Sequence, residues 1–384
     1  MAHPMAEARI RVLYVNHVGI LGGAEKSLLA LVEGLDRRQI EPHLAAPDDG
    51  ALAEAARELG VPFHSLPACR LRRPKYPWDV LSAFRTFQRF YRALRRVCHD
   101  VQPDLIHANS LIAAWAATRV TKVPVLWHCR DLRASAPVMQ AVRPKVARVI
   151  AISHAVAAHI EQTAPRGAPV QVIHNGFSPR DVHVTRRRSQ VREDWEMGVD
   201  TPLVGGMGQL VPWKRQEVLL RAMPEVLAAV PRARLVIMGS DTFDEHPEYV
   251  QSLHALAEEL GVSDRVVWAG FVEHPAEALA ALDVLAHPAE DEPFGRVVLE
   301  ALALGVPVVA INQAGPAEII EDGVSGLLVP PGDATAMAAG IVRVLQDEDF
   351  RQALSDGARI RAAHFSAATM AARVLELYHE VLAS

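Results

Sequence analysis

Short apolar runs alternate with stretches of helical spacing along nearly the whole chain, and the alternation occurs twice. In the first half the strand-like runs are Arg9–Val15, His43–Ala46, Pro62–Ser65, Leu105–Ala108, Val123–His128, Val149–Ile152 and Val170–Ile173. Between them lie helical patterns such as Ala24–Leu35, where Leu28, Leu29, Leu31, Val32 and Leu35 share one face. This alternation demands a parallel sheet covered on both faces by helices. At His174 the rhythm stops. The segment NGFSPRDVHVTRRRSQVRED is polar, arginine-rich and full of turn chemistry, so a linker is expected near residues 177–195. The pattern restarts with Leu203–Met207, Arg234–Met238, Val266–Ala269, Val284–His287, Val306–Ala310 and Gly326–Val329, and closes with three helical stretches. The expected fold class is therefore α/β, with two tandem Rossmann-like doubly wound domains over residues 1–178 and 179–365. A terminal helix over 366–384 is left free to pack back toward the first domain. Ligands bind at the carboxyl ends of such sheets, so a site is expected in the cleft where the two sheets face each other.

A chain of 384 residues exceeds one ordinary core, and 50% apolar with 22% charged residues suits well-buried domains. The net charge of −5 provides no overall basic field, which argues against nucleic acid as the main partner. Cys69, Cys98 and Cys129 are odd in number and contain no CxxC pair, as in a reduced compartment without disulfide framework or zinc site. The leading MAHPMAEARIR lacks an apolar signal core, and no run approaches membrane-spanning length. A cytoplasmic protein is expected.

The stretch HVGILGGAEKSLLALV raises the question of a phosphate-gripping loop, with glycines at 19, 22 and 23 before Lys26-Ser27. A P-loop requires glycine directly before the lysine, and here stands Glu25, whose carboxylate would repel an anion in that nest. What remains is a strand, a glycine turn at Gly22 and Gly23, and a helix N-terminus with bare N–H groups.

Two segments of the second half carry more chemistry. In AEDEPFGRVVLEALALGVPVVA (289–310), Glu292 precedes a helix start and Glu300 lies inside it, eight positions on, so that two helical turns bring both carboxylates to one face. Pro293, Phe294 and Gly295 form the entry, and the amides from Gly295 through Arg296 and Val297 to Val298 are the helix's unpaired donors. Carboxylate, bare amides and carboxylate in series suit a sugar hydroxyl, a diphosphate and a ribose. The plainer account is one acid complementing the helix dipole and one solvated acid. The apolar residues flanking Glu300 weigh against a solvated face. In GMGQLVPWKRQEVLLRAM (206–223), Lys214 and Arg215 open a helix after a glycine turn, where they oppose the dipole unless an anion is nearby.

Together, Glu292-x7-Glu300, GQLVPWK before a helix, GGAEKSLL at the first turn and HNGF at the break resemble the retaining GT-B glycosyltransferases, most closely glycosyltransferase family 4 (glycosyl transferases group 1). The likeness extends to VWAGFVEHPAEALAALDVLAHPA and AGPAEIIEDGVSGLLVPPGD. It implies transfer of a sugar from a UDP- or GDP-linked donor, with acceptor binding in the first domain and donor binding in the second. By that resemblance Glu300 holds the ribose, Glu292 the donor sugar, Lys214 the β-phosphate, and the backbone at Gly270-Phe271 the base. Gly22 and Gly23 become a close-approach turn under the diphosphate. Gln209 stands where the family often has arginine, leaving Arg215 or Arg296 as the substitute phosphate ligand.

In WHCRDLR (127–133), the resemblance makes His128 a donor-sugar contact, with Arg130, Asp131 and Asn109 nearer the acceptor. A hydrogen-bonded histidine at a strand end is an equally good account. The sole D-x-D, Asp347-Glu348-Asp349, reads as a polar turn, and no essential metal or other cofactor is expected. Residues 70–96 hold nine Lys or Arg and one acid, Asp79, with Phe84, Phe87, Phe90, Tyr91 and Leu94 at helical spacing. Either the aromatic face packs and the arginines are solvated, or the patch rests on anionic lipid or an anionic acceptor at the inner face of a membrane. Three other readings stay open: a phosphorylase, a nucleotide-sugar epimerase, and a silent scaffold that binds a membrane or partner. Glu292, Glu300 and Lys214 together argue against the scaffold.

Overall fold

In the first sheet all seven strands run parallel, and two inner strands, Leu105–Ala108 and Val125–Cys129, are buried along their whole length. The computed structural model describes residues 9–48, 50–69, 77–242 and 244–384, and all counts refer to these. The chain divides into two units, residues 1–176 with 367–384, and residues 177–366.

The first unit contains β1 (Ile10–Val15), α1 (Gly23–Gly34), β2 (Ile40–Ala46), α2 (Ala51–Glu58), β3 (Phe63–Ser65), α3 (Pro77–Val101), β4 (Leu105–Ala108), α4 (Leu111–Val120), β5 (Val125–Cys129), α5 (Ala136–Val142), β6 (Arg148–Ala151), α6 (His154–Thr163) and β7 (Val170–Val172). The strands pair in the order β3-β2-β1-β4-β5-β6-β7, and the largely apolar β4 and β5, each with one buried histidine, have water on neither face, as a helix-covered parallel sheet requires. Ser110 and Ser153 end strand-to-helix turns by accepting the amides of Ala113 and Val156, which caps α4 and α6.

The second unit contains α7 (Arg188–Asp194), β8 (Leu203–Met207), α8 (Gln216–Ala229), β9 (Arg234–Met238), α9 (Pro247–Glu259), β10 (Val266–Gly270), α10 (Pro275–Ala280), β11 (Val284–His287), α11 (Arg296–Leu304), β12 (Val308–Ile311), α12 (Ala314–Ile319), β13 (Leu327–Val329), α13 (Ala334–Gln346) and α14 (Glu348–Ala363). Its sheet is again wholly parallel, ordered β10-β9-β8-β11-β12-β13. Each sheet reverses its winding once, between β1 and β4 and between β8 and β11, and these are the switch points where doubly wound folds bind ligands.

Every strand-like run is a strand, with ends moved by a few residues. The expected linker is not one. It contains α7, and Arg192 on that helix is fully buried. The Arg192 guanidinium donates to the carbonyls of Ala281, Val199 and Thr201 and to Asp283. A planar five-donor group can be buried where each donor finds an acceptor, and composition alone does not reveal those acceptors. The last helix, α15 (Ala367–Ala383), belongs to the first unit. It packs on α1 so closely that a Cβ at Gly34 would lie 2.6 Å from the Ala367 carbonyl oxygen. Met370, Val374, Leu377 and Val381 thereby join Leu28, Leu31 and Leu35 in one core.

Candidate active site

Three neighbouring strands of the second unit end in left-handed or near-left-handed glycines: Gly208 after β8 (φ +156°), Gly239 after β9 (φ +136°) and Gly270 at the end of β10 (φ +63°). The Gly208 amide donates to the Met238 carbonyl at 2.9 Å and the Gly239 amide to the Gly270 carbonyl at 2.7 Å. A Cβ at Gly239 would sit 1.9 Å from the Gly208 oxygen, so only glycine permits this stacking of backbones. Phe271 follows with its ring 73% exposed. The three turns form a floor of main chain beside a solvent-facing aromatic ring.

Lys214 stands on a short 3-10 turn after β8, its side chain passing over Gly208. Its ammonium is ion-paired with the Glu292 carboxylate. The pairing is built into the backbone. Glu290 N donates to Trp213 O at 3.0 Å, which ties the loop after β11 to the turn that carries Lys214. On the other side, Gly315 N donates to Glu292 O at 3.0 Å, and a Cβ on Gly315 would lie 2.2 Å from Phe294 Cα. His287, buried at the end of β11, holds its Nε2 3.6 Å from Glu292 Oε2. Burial alone would raise the Glu292 carboxyl, but the Lys214 ammonium and the His287 imidazole outweigh it and keep the group well below the usual carboxylate range. Burial likewise pushes the His287 imidazole down, with Glu292 only partly offsetting it, so the imidazole is neutral.

Several expectations change here. The helix α11 begins at Arg296, after Gly295 at φ +93°, so Glu292 precedes the helix and the eight-residue helical spacing does not relate it to Glu300. Each acid instead has its own cation. Arg296 bonds Glu300 at 2.8 Å and meets Asp181 at 3.0 Å. The pull of those two carboxylates exceeds the burial penalty and raises the guanidinium further above its ordinary value. Arg215, left-handed at φ +54°, pairs with Glu217 at 3.1 Å and Glu290 at 3.2 Å. The anions that the two helix-opening cations require are thus, in this structure, the protein's own carboxylates. Both candidates for the phosphate ligand missing at Gln209 are engaged in ion pairs, while Gln209 offers its carbonyl to Gln216 Nε2 at 2.7 Å. The Phe294 side chain is buried and edge-on to Phe365, so a ligand there would meet only its main chain, whereas Val297 is half-buried. Asp347 accepts the Phe350 amide at 2.9 Å as the cap of α14.

The first unit gathers a second set. The Glu25 carboxylate turns back to accept from Gly22 N (3.1 Å) and Asn16 Nδ2 (3.0 Å), so it closes the glycine turn before Gly23 rather than pointing into an anion nest. Asn109 donates to Asn16 and accepts from Arg130 Nε at 2.6 Å, and Arg130 NH1 reaches Asn175 at 2.6 Å. Arg130 also bonds His128 Nδ1 at 3.2 Å, whereas Asp131 is exposed and caps the Arg133 amide. His107, Tyr378 and Tyr14 extend this network, and none of the three was visible as a site residue in the sequence. His107 and Tyr14 read there as ordinary strand positions.

The basic helix is the first-unit element α3, and residues 70–76 of the expected patch lie outside the described residues. Phe87, Phe90 and Leu94 face the core, but Phe84 does not. Trp78 (65% exposed), Leu81 and Phe84 share the solvent face with Arg85, Arg89, Arg92, Arg95 and Arg96. Among the described residues no helix is long and apolar enough to cross a membrane.

Two family models match the chain: Glycosyltransferase Family 4 over residues 21–181 and Glycosyl transferases group 1 over residues 188–361. The chain is 36% identical over 233 residues to a D-inositol 3-phosphate glycosyltransferase of Nocardioides sp., a match covering 56% of this chain and 49% of that one. It is 26% identical over 235 residues to the N-acetyl-alpha-D-glucosaminyl L-malate synthase of Bacillus anthracis, over 61% of this chain and 60% of that one. The chain spans about half the length of the first-ranked curated relatives it matches. Its fold is similar to that of Anabaena HepE, crystallised with UDP-glucose, at a TM-score of 0.81 and 25% identity over 97% of this chain and 100% of that one.

Proposed function

The chain belongs to glycosyltransferase family 4, on the two Rossmann-like domains of the GT-B class, and from that premise we propose that it transfers a hexosyl group from a UDP- or GDP-linked donor to a hydroxyl acceptor with retained anomeric configuration. The observation that carries this reading is the Lys214–Glu292 pair, mounted beside three stacked glycine turns at the carboxyl ends of β8, β9 and β10. Bare main chain admits a diphosphate closely, and the exposed Phe271 ring offers a face to a base. HepE, similar over nearly its whole length, binds UDP-glucose, which supports a nucleotide-sugar as donor.

In this mechanism the C–O bond at the anomeric carbon breaks toward an oxocarbenium-like sugar while charge accumulates on the leaving diphosphate. Lys214, with three donors and only one engaged by Glu292, stabilises that charge, and the amides that open α11 add to it. Glu292 is ionised and fixed, suited to accept from a hydroxyl of the donor sugar. Glu300 serves the ribose by exchanging part of its bond with Arg296. The acceptor hydroxyl attacks from the face the diphosphate leaves, and a diphosphate oxygen takes its proton. The process needs no metal, since the cations are side chains. The solvent face of α3 supports an acceptor presented at an anionic membrane surface, where aromatic residues enter the headgroup layer and arginines meet lipid phosphate.

The test is a transfer assay over UDP- and GDP-sugars with glycolipid and small hydroxyl acceptors, and NMR of the anomeric proton in the product. An α-linked product from an α-linked donor is expected. Inversion would refute the mechanism. Donor consumption without an acceptor would favour an epimerase, and dependence on free phosphate a phosphorylase.

A further inference from the structure

Two histidines meet at the edge of the first sheet, where β3 pairs with β2. His64 of β3 stands opposite Ala45 of β2, and His43 lies two residues before Ala45, so the pleat puts both rings on one face. His43 Nδ1 is 3.0 Å from His64 Nε2. On its far side the His43 ring holds Nε2 3.2 Å from Oε1 of Glu41, two residues back along the same face. Arg11 at 3.4 Å and Arg9 at 3.5 Å brace that carboxylate. The cluster is held by strands yet open to ions: His43 keeps 13% and Glu41 30% of side-chain exposure, and His64 is half-buried.

A carboxylate can only accept, so His43 donates from Nε2 to Glu41. That hydrogen bond, against a smaller burial penalty and with help from Arg11 and Arg9, holds the Glu41 carboxyl below its ordinary value. Burial, followed by His43, pushes His64 down, and the Asp100 carboxylate on α3 offsets only part of this, so His64 is neutral. With His43 neutral as well, its bare Nδ1 accepts from the His64 Nε2–H. Transfer of that proton to His64 Nδ1 through solvent leaves two lone pairs facing each other. Two nitrogens on a tetrahedral zinc ion, each at about 2.0–2.1 Å, stand about 3.3 Å apart, which the two rings reach by small rotations. The Glu41 carboxylate stands where a metal-bound histidine commonly has its support. It fixes the tautomer with the lone pair forward and makes that nitrogen more basic.

We propose that His43 Nδ1 and His64 Nε2 form a binding site for a divalent transition-metal ion of the zinc class, with Glu41 orienting His43 and water completing the coordination. Imidazole nitrogen suits zinc, nickel and copper, whereas magnesium and calcium take oxygen ligands. The bound ion ties the three-residue strand β3 to β2 through side chains, where the backbone ladder is short. The site is independent of the transferase reading and takes no part in the transfer chemistry.

Zinc titration of the full chain, followed by calorimetry and by thermal unfolding, is the test. Wild type should bind Zn²⁺ with a Tm that climbs as zinc is added, and Mg²⁺ should have no such effect. His43→Gln and His64→Gln should each lose this binding at zinc concentrations that saturate wild type. Glu41→Gln should weaken it about tenfold, the loss expected when the support of a metal-bound histidine is removed. Zinc-edge anomalous diffraction from soaked wild-type crystals should place the ion within bonding distance of both nitrogens, and it decides the question even if a variant fails to fold. No zinc uptake by wild type, an ion bound only at other residues, or wild-type affinity in a folded His43→Gln or His64→Gln overturns the proposal. Wild-type affinity in a folded Glu41→Gln refutes the part given to Glu41.

Discussion

Lys214→Ala leaves a carboxylate in place without its cation. Glu292 keeps 13% and Lys214 19% of side-chain exposure, so the pair is nearly buried, and its remaining close neighbour, His287 Nε2 at 3.6 Å, is uncharged. Removing one partner of a buried pair costs about 3–5 kcal/mol, and the residual exposure points to the lower end, ~3 kcal/mol. For a unit of this size that is a fall in Tm of roughly 6–12 °C at neutral pH. The pH dependence has a definite sign. In wild type Glu292 titrates below its unfolded value, so the pair's stabilisation is present above the usual carboxylate range and is lost only as pH falls through the lower folded value. Without the ammonium, burial raises the carboxyl above its unfolded value, and the variant gains stability relative to wild type as acid protonates it. The deficit of Lys214→Ala should therefore shrink steadily between pH 7 and about 4. Adding Glu292→Gln removes the orphan charge and should restore most of the loss at pH 7. Calorimetric scans of wild type, single and double variants across that range measure all three effects. A double variant no more stable than Lys214→Ala, or a deficit independent of pH, would refute the reasoning.

Glu300→Ala should weaken nucleoside diphosphate binding, and Glu292→Ala should mainly slow transfer, because the proposed function sets only Glu292 against the reacting sugar; calorimetry with the diphosphate alone separates them, and equal losses would contradict the assignment. Lys214→Ala should lower kcat about a hundredfold or more, with a smaller effect on donor KM, and wild-type activity should survive EDTA; strict dependence on Mg²⁺ or Mn²⁺ would reverse the metal-free proposal. Gly315→Ala should cost ~3 kcal/mol and abolish donor binding, since its Cβ meets the Phe294 backbone, whereas Gly261→Ala, at φ +66° with nothing within 4 Å, should cost only about 1 kcal/mol in unfolding measurements. Changing Arg85, Arg89 and Arg92 together to Gln should release the protein from anionic vesicles in flotation, as high salt should, at about 1 kcal/mol per charge; wild type that never floats would leave α3 an ordinary packed helix.

The sequence by itself determined the two parallel sheets. A strand buried on both faces is apolar along most of its length, so runs such as Val284–Ala286 announce themselves, and the alternation with helices leaves few topologies. It also marked the glycine turn after β8 and the acids and cations that cluster at strand ends, but not Gly239. It did not determine which charge meets which. That Lys214 finds Glu292 depends on the Trp213–Glu290 and Gly315–Glu292 backbone bonds between loops far apart in the chain, and Arg296 meets Asp181 only in the folded unit, whereas Arg296 and Glu300 are an i,i+4 pair of one helix. The arginine-rich break likewise reads as polar until Asp283 and the carbonyls of Ala281, Val199 and Thr201 are brought around Arg192. Furthest from view was Tyr378, an apolar-face residue of a terminal helix by spacing. Periodicity records that a side chain is buried, but only the return of α15 onto β1 and β4 decides that its hydroxyl meets His107.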